Sequence, residues 1–178
     1  MAGIGIYFGT DTGRTRLLAK QMARKLGSRA APPVNVARAE PGDLLQHDFL
    51  ILGTPTLGDG MLPGRSTGLS ADSWEEFLPR LAGLDFRGRQ VALYGLGDQL
   101  KYPDNFVDAL EDLYQAFSAL GATLVGSWPA TEYSFAASRA VHEGHFRGLA
   151  LDQHNQGLQT EARIDAWLAA LEPLLPQG

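Results

Sequence analysis

The chain contains no cysteine. Disulfides, iron–sulfur clusters and thiol chemistry are therefore excluded. No apolar run approaches the ~20 residues of a membrane-crossing helix, so no membrane contact is expected. The first residues lack a basic stretch followed by an apolar one, the pattern of a secretory leader. A cytoplasmic protein is expected. No Ser/His/Asp set stands in a motif context, so acyl transfer has no support. His142 and His145 stand close together, but with no carboxylate array or cysteine beside them they read as solvent-facing rather than metal-binding.

Positive charge is also in deficit, and unevenly. The net charge is −5. Residues 1–58 carry +3, residues 59–112 carry −5 and residues 113–178 carry −3. An acidic surface disfavours nucleic acid and suits a basic protein partner. The alternative is a solvated face that only aids solubility. With 178 residues, the chain reads as one domain with ample core.

What is present begins with Gly9-Thr10-Asp11-Thr12-Gly13-Arg14-Thr15. It follows an apolar run, Ile4 to Phe8, that reads as a buried strand, and precedes a helix over 17–26. Backbone N–H groups and the positive end of a helix dipole can be aimed at one anion there. Three threonine hydroxyls can add hydrogen bonds. The spacing fits neither the P-loop, which also needs a lysine, nor the dinucleotide fingerprint. A loop without lysine suits a phosphate held whole, with no group to transfer. A threonine-capped turn with no ligand is the competing reading.

The helix sets Ala19, Met22, Ala23 and Leu26 on one face, with Arg16, Lys20 and Arg24 on a solvated one. Residues 34–36 read as a short strand. A fully apolar strand over 49–52, of the kind a covered parallel sheet uses, runs into a Gly/Pro-rich loop over 53–60. Ser73 to Glu76 fits a capping box that starts a short helix with Trp74, Phe77 and Leu78. Residues 90–96 form the next buried strand, with its loop over 97–103. Asp104 is expected to cap the following helix, whose stripe is Phe106, Ala109, Leu110, Leu113, Tyr114, Phe117 and Leu120. The last strand begins at 123–125 and resumes at 149–151. The intervening residues 126–148 read as a small β excursion with Trp128, Tyr133, Phe135 and Phe146. A final helix covers 160–171.

Strands alternating with helices predict an α/β doubly wound sheet. Ligands of such sheets bind outside the carboxyl ends of the strands. Three Gly/Thr/Asp-rich loops at those ends predict a site for a flat, phosphate-bearing ligand.

Together, in this order, the three loops resemble those of flavodoxin, the small carrier that binds flavin mononucleotide (FMN). The resemblance covers nearly the whole chain. It implies a five-stranded parallel sheet of order 2-1-3-4-5 with helices on both faces and a last strand split by the insertion, as in the long-chain type. It implies that Thr10, Asp11, Thr12, Gly13, Arg14 and Thr15 hold the phosphate. Thr54, Pro55, Thr56, Leu57 and Gly58 would line one side of the ring. Leu96, Gly97, Asp98, Tyr102 and Asn105 would line the other, and Asp152 would approach the ribityl chain or ring edge. Many relatives carry Trp where this chain has Leu57, so Tyr102 would be the one stacking aromatic. Such a tyrosine is worth roughly 0.5–1.5 kcal/mol beyond its area.

The implied function is a low-potential one-electron carrier, not an enzyme, working between semiquinone and hydroquinone with a Gly58 peptide able to turn over. It would act as a monomer between a reductase and an acceptor. The stretch 64–77 resembles the variant associated with nitrogen fixation, which implies the iron protein of nitrogenase as acceptor. A response-regulator receiver would need an aspartate where Gly53 and Thr54 stand. An FMN-dependent NAD(P)H:quinone oxidoreductase is the stronger alternative, and an FMN-storage module is a third.

Overall fold

The structure is a computed structural model that describes residues 3–177. Its central sheet is built from β1 (Ile4–Phe8), β2 (Val34–Asn35), β3 (Phe49–Pro55), β4 (Gln90–Leu96) and β5 (Thr123–Val125), in the order 2-1-3-4-5. All neighbours are parallel. Within residues 126–148, β6 (Trp128–Pro129), β7 (Val141–His142) and β8 (His145–Phe146) make a small antiparallel sheet of order 6-8-7. Then β9 (Leu149–Leu151) returns to β4. Residues 90–92 of β4 face β5 and residues 94–96 face β9, so the two short strands occupy one edge in succession. Tyr133, Phe135 and Phe146 of the excursion pack on Phe106, with ring centroids 5.3–5.7 Å from it.

The strands are apolar along their length because both faces are covered. Side chains alternate strictly. Ile4, Ile6, Phe8, Phe49, Ile51, Ala92 and Tyr94 share a core with α1 (Arg14–Leu26) and α4 (Thr160–Leu171). Tyr7, Leu50, Leu52, Val91 and Leu93 share the other core with α2 (Trp74–Arg80) and α3 (Ala109–Ala119). In that second core Phe117 meets Phe86 edge-on at 5.3 Å and Trp74 at 6.4 Å. Truncating such an aromatic to alanine typically costs about 3–5 kcal/mol.

The start of α2 follows the expected capping pattern in one half: the Glu76 carboxylate accepts the Ser73 N–H at 2.9 Å. The start of α3 differs from expectation. Asp104 does not cap it; the helix begins at Ala109, with Asp108 in the capping position. The reason is Val107, held at φ +48°, a left-handed conformation that interrupts helical progression and that β-branched residues rarely adopt. The first helical N–H, of Ala109, is instead taken by Thr56 Oγ1 at 3.1 Å, across from the end of β3.

The sheet also separates charge. On one face, Arg16, Lys20 and Arg24 of α1 are exposed, and among the described residues none of them forms an ion pair. The opposite face carries Glu75 and Glu76 on α2, and Glu111 and Asp112 on α3, the latter two paired with Arg147 and Arg139.

Burial of tyrosines sets an alkaline limit to stability. Burial, with Asp43 nearby, pushes the Tyr7 hydroxyl up to about 12. Burial pushes Tyr133 up to about 12 against the opposing pull of Arg163, and it pushes Tyr94 further still. An unfolded tyrosine ionises near 10, so above that pH the unfolded chain sheds protons that the folded chain retains. The stabilisation is complete below pH ~10 and is lost as pH rises through the folded values, at up to about 1.4 kcal/mol per pH unit for each tyrosine. Urea midpoints measured near pH 8 and pH 11 are expected to show this fall; equal midpoints would contradict it.

Candidate cofactor cleft

A cleft of about 370 Å³ opens at the carboxyl ends of β1, β3, β4 and β9. Its walls are Asp11, Thr12, Arg14 and Thr15 from the first loop, Pro55, Thr56, Leu57 and Gly58 from the second, Leu96, Gly97, Asp98, Lys101 and Tyr102 from the third, and Gln153 and His154 after β9.

The first loop is held by its own side chains and by aromatic props beneath it. Thr10 Oγ1 accepts the Gly13 N–H at 2.9 Å. Gly13 sits at φ +90° and caps α1, a conformation glycine adopts without steric cost. The Gly53 carbonyl accepts the Gly9 N–H at 3.0 Å and the Trp74 Nε1–H at 2.9 Å. A β-carbon at Gly9 would collide with Ser73 Oγ and the Trp74 ring. The first N–H groups of α1 have no intrahelical acceptor, and the helix dipole adds positive potential there. That end of the cleft is fitted to an anion.

The second loop closes as a tight reversal. Leu57 N–H donates to Met61 O at 2.9 Å and Met61 N–H returns to Leu57 O at 2.7 Å. Between them Gly58 and Gly60 take φ +52° and +91°. The third loop turns on Asp98, whose Oδ1 accepts from Leu100 N–H at 3.1 Å, Lys101 N–H at 2.9 Å and Asn155 Nδ2 at 2.8 Å. Burial pushes the Asp98 carboxyl up, but these donors and nearby His154 outweigh it and hold the carboxyl below its usual range. Tyr102 is 45% exposed, with Lys101 Nζ 5.4 Å from its ring centroid. Leu57, Leu96 and Tyr102 thus give the cleft an apolar end suited to a flat ring, opposite the anion end.

Several residues expected on the wall stand behind it. Thr54 is fully buried and its hydroxyl donates to Pro55 O at 2.8 Å. Asn105 Nδ2 bridges Asp59 O and Asp108 Oδ2, both at 3.3 Å, and so ties the second loop to the start of α3. Thr10 and Gly13 bond one another. Asp152 is buried, and its carboxylate accepts from Gln99 N–H, Gln99 Nε2, His154 N–H, Asn155 N–H and Asn155 Nδ2 at 2.8–3.1 Å. It fastens the third loop to the loop after β9 rather than facing the cleft.

Lys101, Gln153 and His154 join the wall without having been singled out. Arg14 Nη1 lies 2.6 Å from His154 Nε2, which ties the first loop to the loop after β9. The available signal was the resumed strand itself: its carboxyl end obeys the same rule as the others.

An anion seat, two loops walling a flat apolar slot, and a sheet of order 2-1-3-4-5 define a flavodoxin-like nucleotide-binding protein. Comparison with known proteins agrees. The family model described as flavodoxin matches residues 6–167. A flavodoxin of Klebsiella pneumoniae is 51% identical over 97% of this chain and 98% of its own. One from Synechocystis is 38% identical over 98% and 99%. The crystal structure of Fusobacterium nucleatum flavodoxin bound to flavin mononucleotide superposes with TM-score 0.88 at 28% identity, covering 99% of this chain and 100% of that one. The chain belongs to the flavodoxin family.

Proposed function

We propose that the chain binds FMN in this cleft and serves as a one-electron carrier between redox proteins, not as an enzyme. The observation that carries the reading is the meeting of a helix-terminal anion seat with two ring-walling loops in one cleft at the strand ends. Thr12, Thr15 and Arg14, with the first N–H groups of α1, would hold the phosphate. Leu57 and Tyr102 would flank the ring, and Thr56, Gly58, Leu96, Gly97 and Asp98 would line its edges. When bound, FMN takes up and releases electrons singly through its ring system. The protein's own part is to seat the anion, exclude water with Leu57 and Leu96, and place fixed negative charge, Asp98 above all, near the ring. That charge disfavours further electron density and so favours a low potential.

The donor is a low-potential reductase. The acidic segment 59–112 supports a basic docking surface on the acceptor, and the stretch 64–77 supports the iron protein of nitrogenase in that role. We read the chain as one domain over 1–178, with an insertion at 126–148, acting as a cytoplasmic monomer.

Denaturing the purified protein is expected to release FMN, one per chain, identifiable by chromatography. Released FAD, or no flavin under any reconstitution condition, would sink the reading. Electron delivery to a basic partner is expected to slow as salt rises through the range where the Debye length shrinks from about 30 to 3 Å. A rate flat across that range would remove the electrostatic part.

A further inference from the structure

Tyr94 carries the one hydroxyl in β4, whose residues 91–96 are all buried. It stands opposite Gly53 in the β3–β4 register, and Phe8 stands on the other side of Gly53. Three strand ends therefore line up as Phe8, Gly53 and Tyr94. The middle position is bare, and the Tyr94 ring fills that space: a β-carbon at Gly53 would overlap the ring and its oxygen. Through the gap, the Tyr94 hydroxyl donates to the Thr15 carbonyl at 2.9 Å. Thr15 lies in the first turn of α1 and lines the cleft. Burial keeps the Tyr94 hydroxyl protonated across the whole working range, so the donor is permanent.

We propose that Tyr94 is a positioning residue for the phosphate end of the cleft: its hydroxyl, reaching across Gly53, fixes Thr15 and the first turn of α1 against the sheet. Two effects follow. Anchoring the turn removes freedom that a bound anion would otherwise have to freeze out, which is preorganisation. Donation to the Thr15 carbonyl also polarises the Thr15–Arg16 peptide and strengthens its N–H as a donor, since linked hydrogen bonds reinforce one another. Gly53 and Tyr94 act as a pair, since any other residue at 53 would shut the path.

The inference rests on the FMN reading, and the test separates the two. Tyr94→Phe keeps the ring in its slot and removes one oxygen. The apoproteins of wild type and variant are titrated with FMN and with riboflavin. The wild type is expected to prefer FMN; absence of that preference would defeat the FMN reading itself. In Tyr94→Phe the FMN dissociation constant is expected to rise about five- to tenfold, on the scale of one net hydrogen bond, with that of riboflavin unchanged within twofold. The phosphorus resonance of bound FMN is expected to move in the variant. An equal loss for both ligands, or no loss for either with an unmoved resonance, overturns the inference. A readout independent of the variant is the Tyr94 hydroxyl proton in wild-type apoprotein. It is expected to shift as inorganic phosphate is added, and an unmoved signal counts against the proposal.

Discussion

Riboflavin is expected to bind the apoprotein at least ~100-fold more weakly than FMN, because hydrogen bonds to a charged group contribute about 1.5–3 kcal/mol each. Two such bonds suffice for that ratio, and the first loop offers more donors than two. They are the opening N–H groups of α1 and the hydroxyls of Thr12 and Thr15, both on the cleft wall. On the proposed seating these donors would meet only the phosphate, the part that riboflavin lacks. Thr12→Ala is accordingly expected to weaken FMN by about tenfold or more and to leave riboflavin almost unchanged. Thr12 is exposed, so its truncation creates no cavity and the fold stays intact. Equal loss for the two ligands in a fluorescence titration would show that the loop is not the phosphate seat.

Asp152→Ala is expected to lower global stability by about 1–3 kcal/mol or more, the cost of leaving a buried donor without its acceptor. The carboxylate is the common acceptor of donors from Gln99, His154 and Asn155. Without it the buried Gln99 donors are left unpaired, and the loop carrying His154 and Asn155 loses the acceptor that ties it down. The same change is expected to weaken FMN, because the loops it joins carry Asp98, Tyr102, Gln153 and His154 onto the cleft wall. Asp152→Asn keeps the shape but turns one acceptor into a donor, so it recovers only part of the loss. Urea unfolding followed by circular dichroism checks both variants. A loss below ~1 kcal/mol in the alanine variant would mean that the loops are held elsewhere.

The sheet was legible because strands covered on both faces are written as unbroken apolar runs, and because ligand loops follow their carboxyl ends. Which polar residues face a ligand was less legible. Thr54 shares its side of β3 with Leu50 and Leu52, so strand parity alone turns it inward. Asp152 and Asn105 are polar residues in the right loops, but their acceptors and donors are matched by the protein's own backbone and amides. Composition cannot distinguish a group that holds a ligand from one that holds the loop. The start of α3 was misplaced because nothing in Phe106-Val107-Asp108 announces a left-handed valine; that conformation is imposed by the packing around it. Tyr94, by contrast, could have been found: a hydroxyl in a buried strand must have an acceptor.

The division of charge by the sheet gives the molecule a direction. Among the described residues, Arg16, Lys20 and Arg24 lie unpaired on one side of the sheet and Glu75 and Glu76 of α2 on the other, while Glu111 and Asp112 of α3 are matched by Arg147 and Arg139. The resulting charge asymmetry runs across the sheet, and the cleft lies at the strand ends between the two sides. A net charge alone would draw a partner in from any side. An asymmetric charge distribution also exerts a torque, so two proteins turn into register as they come within about one screening length of each other. Encounters made the wrong way round part quickly, and fewer rotational trials precede each productive one. A carrier that must meet two partners in alternation gains throughput from such alignment without needing to hold either tightly.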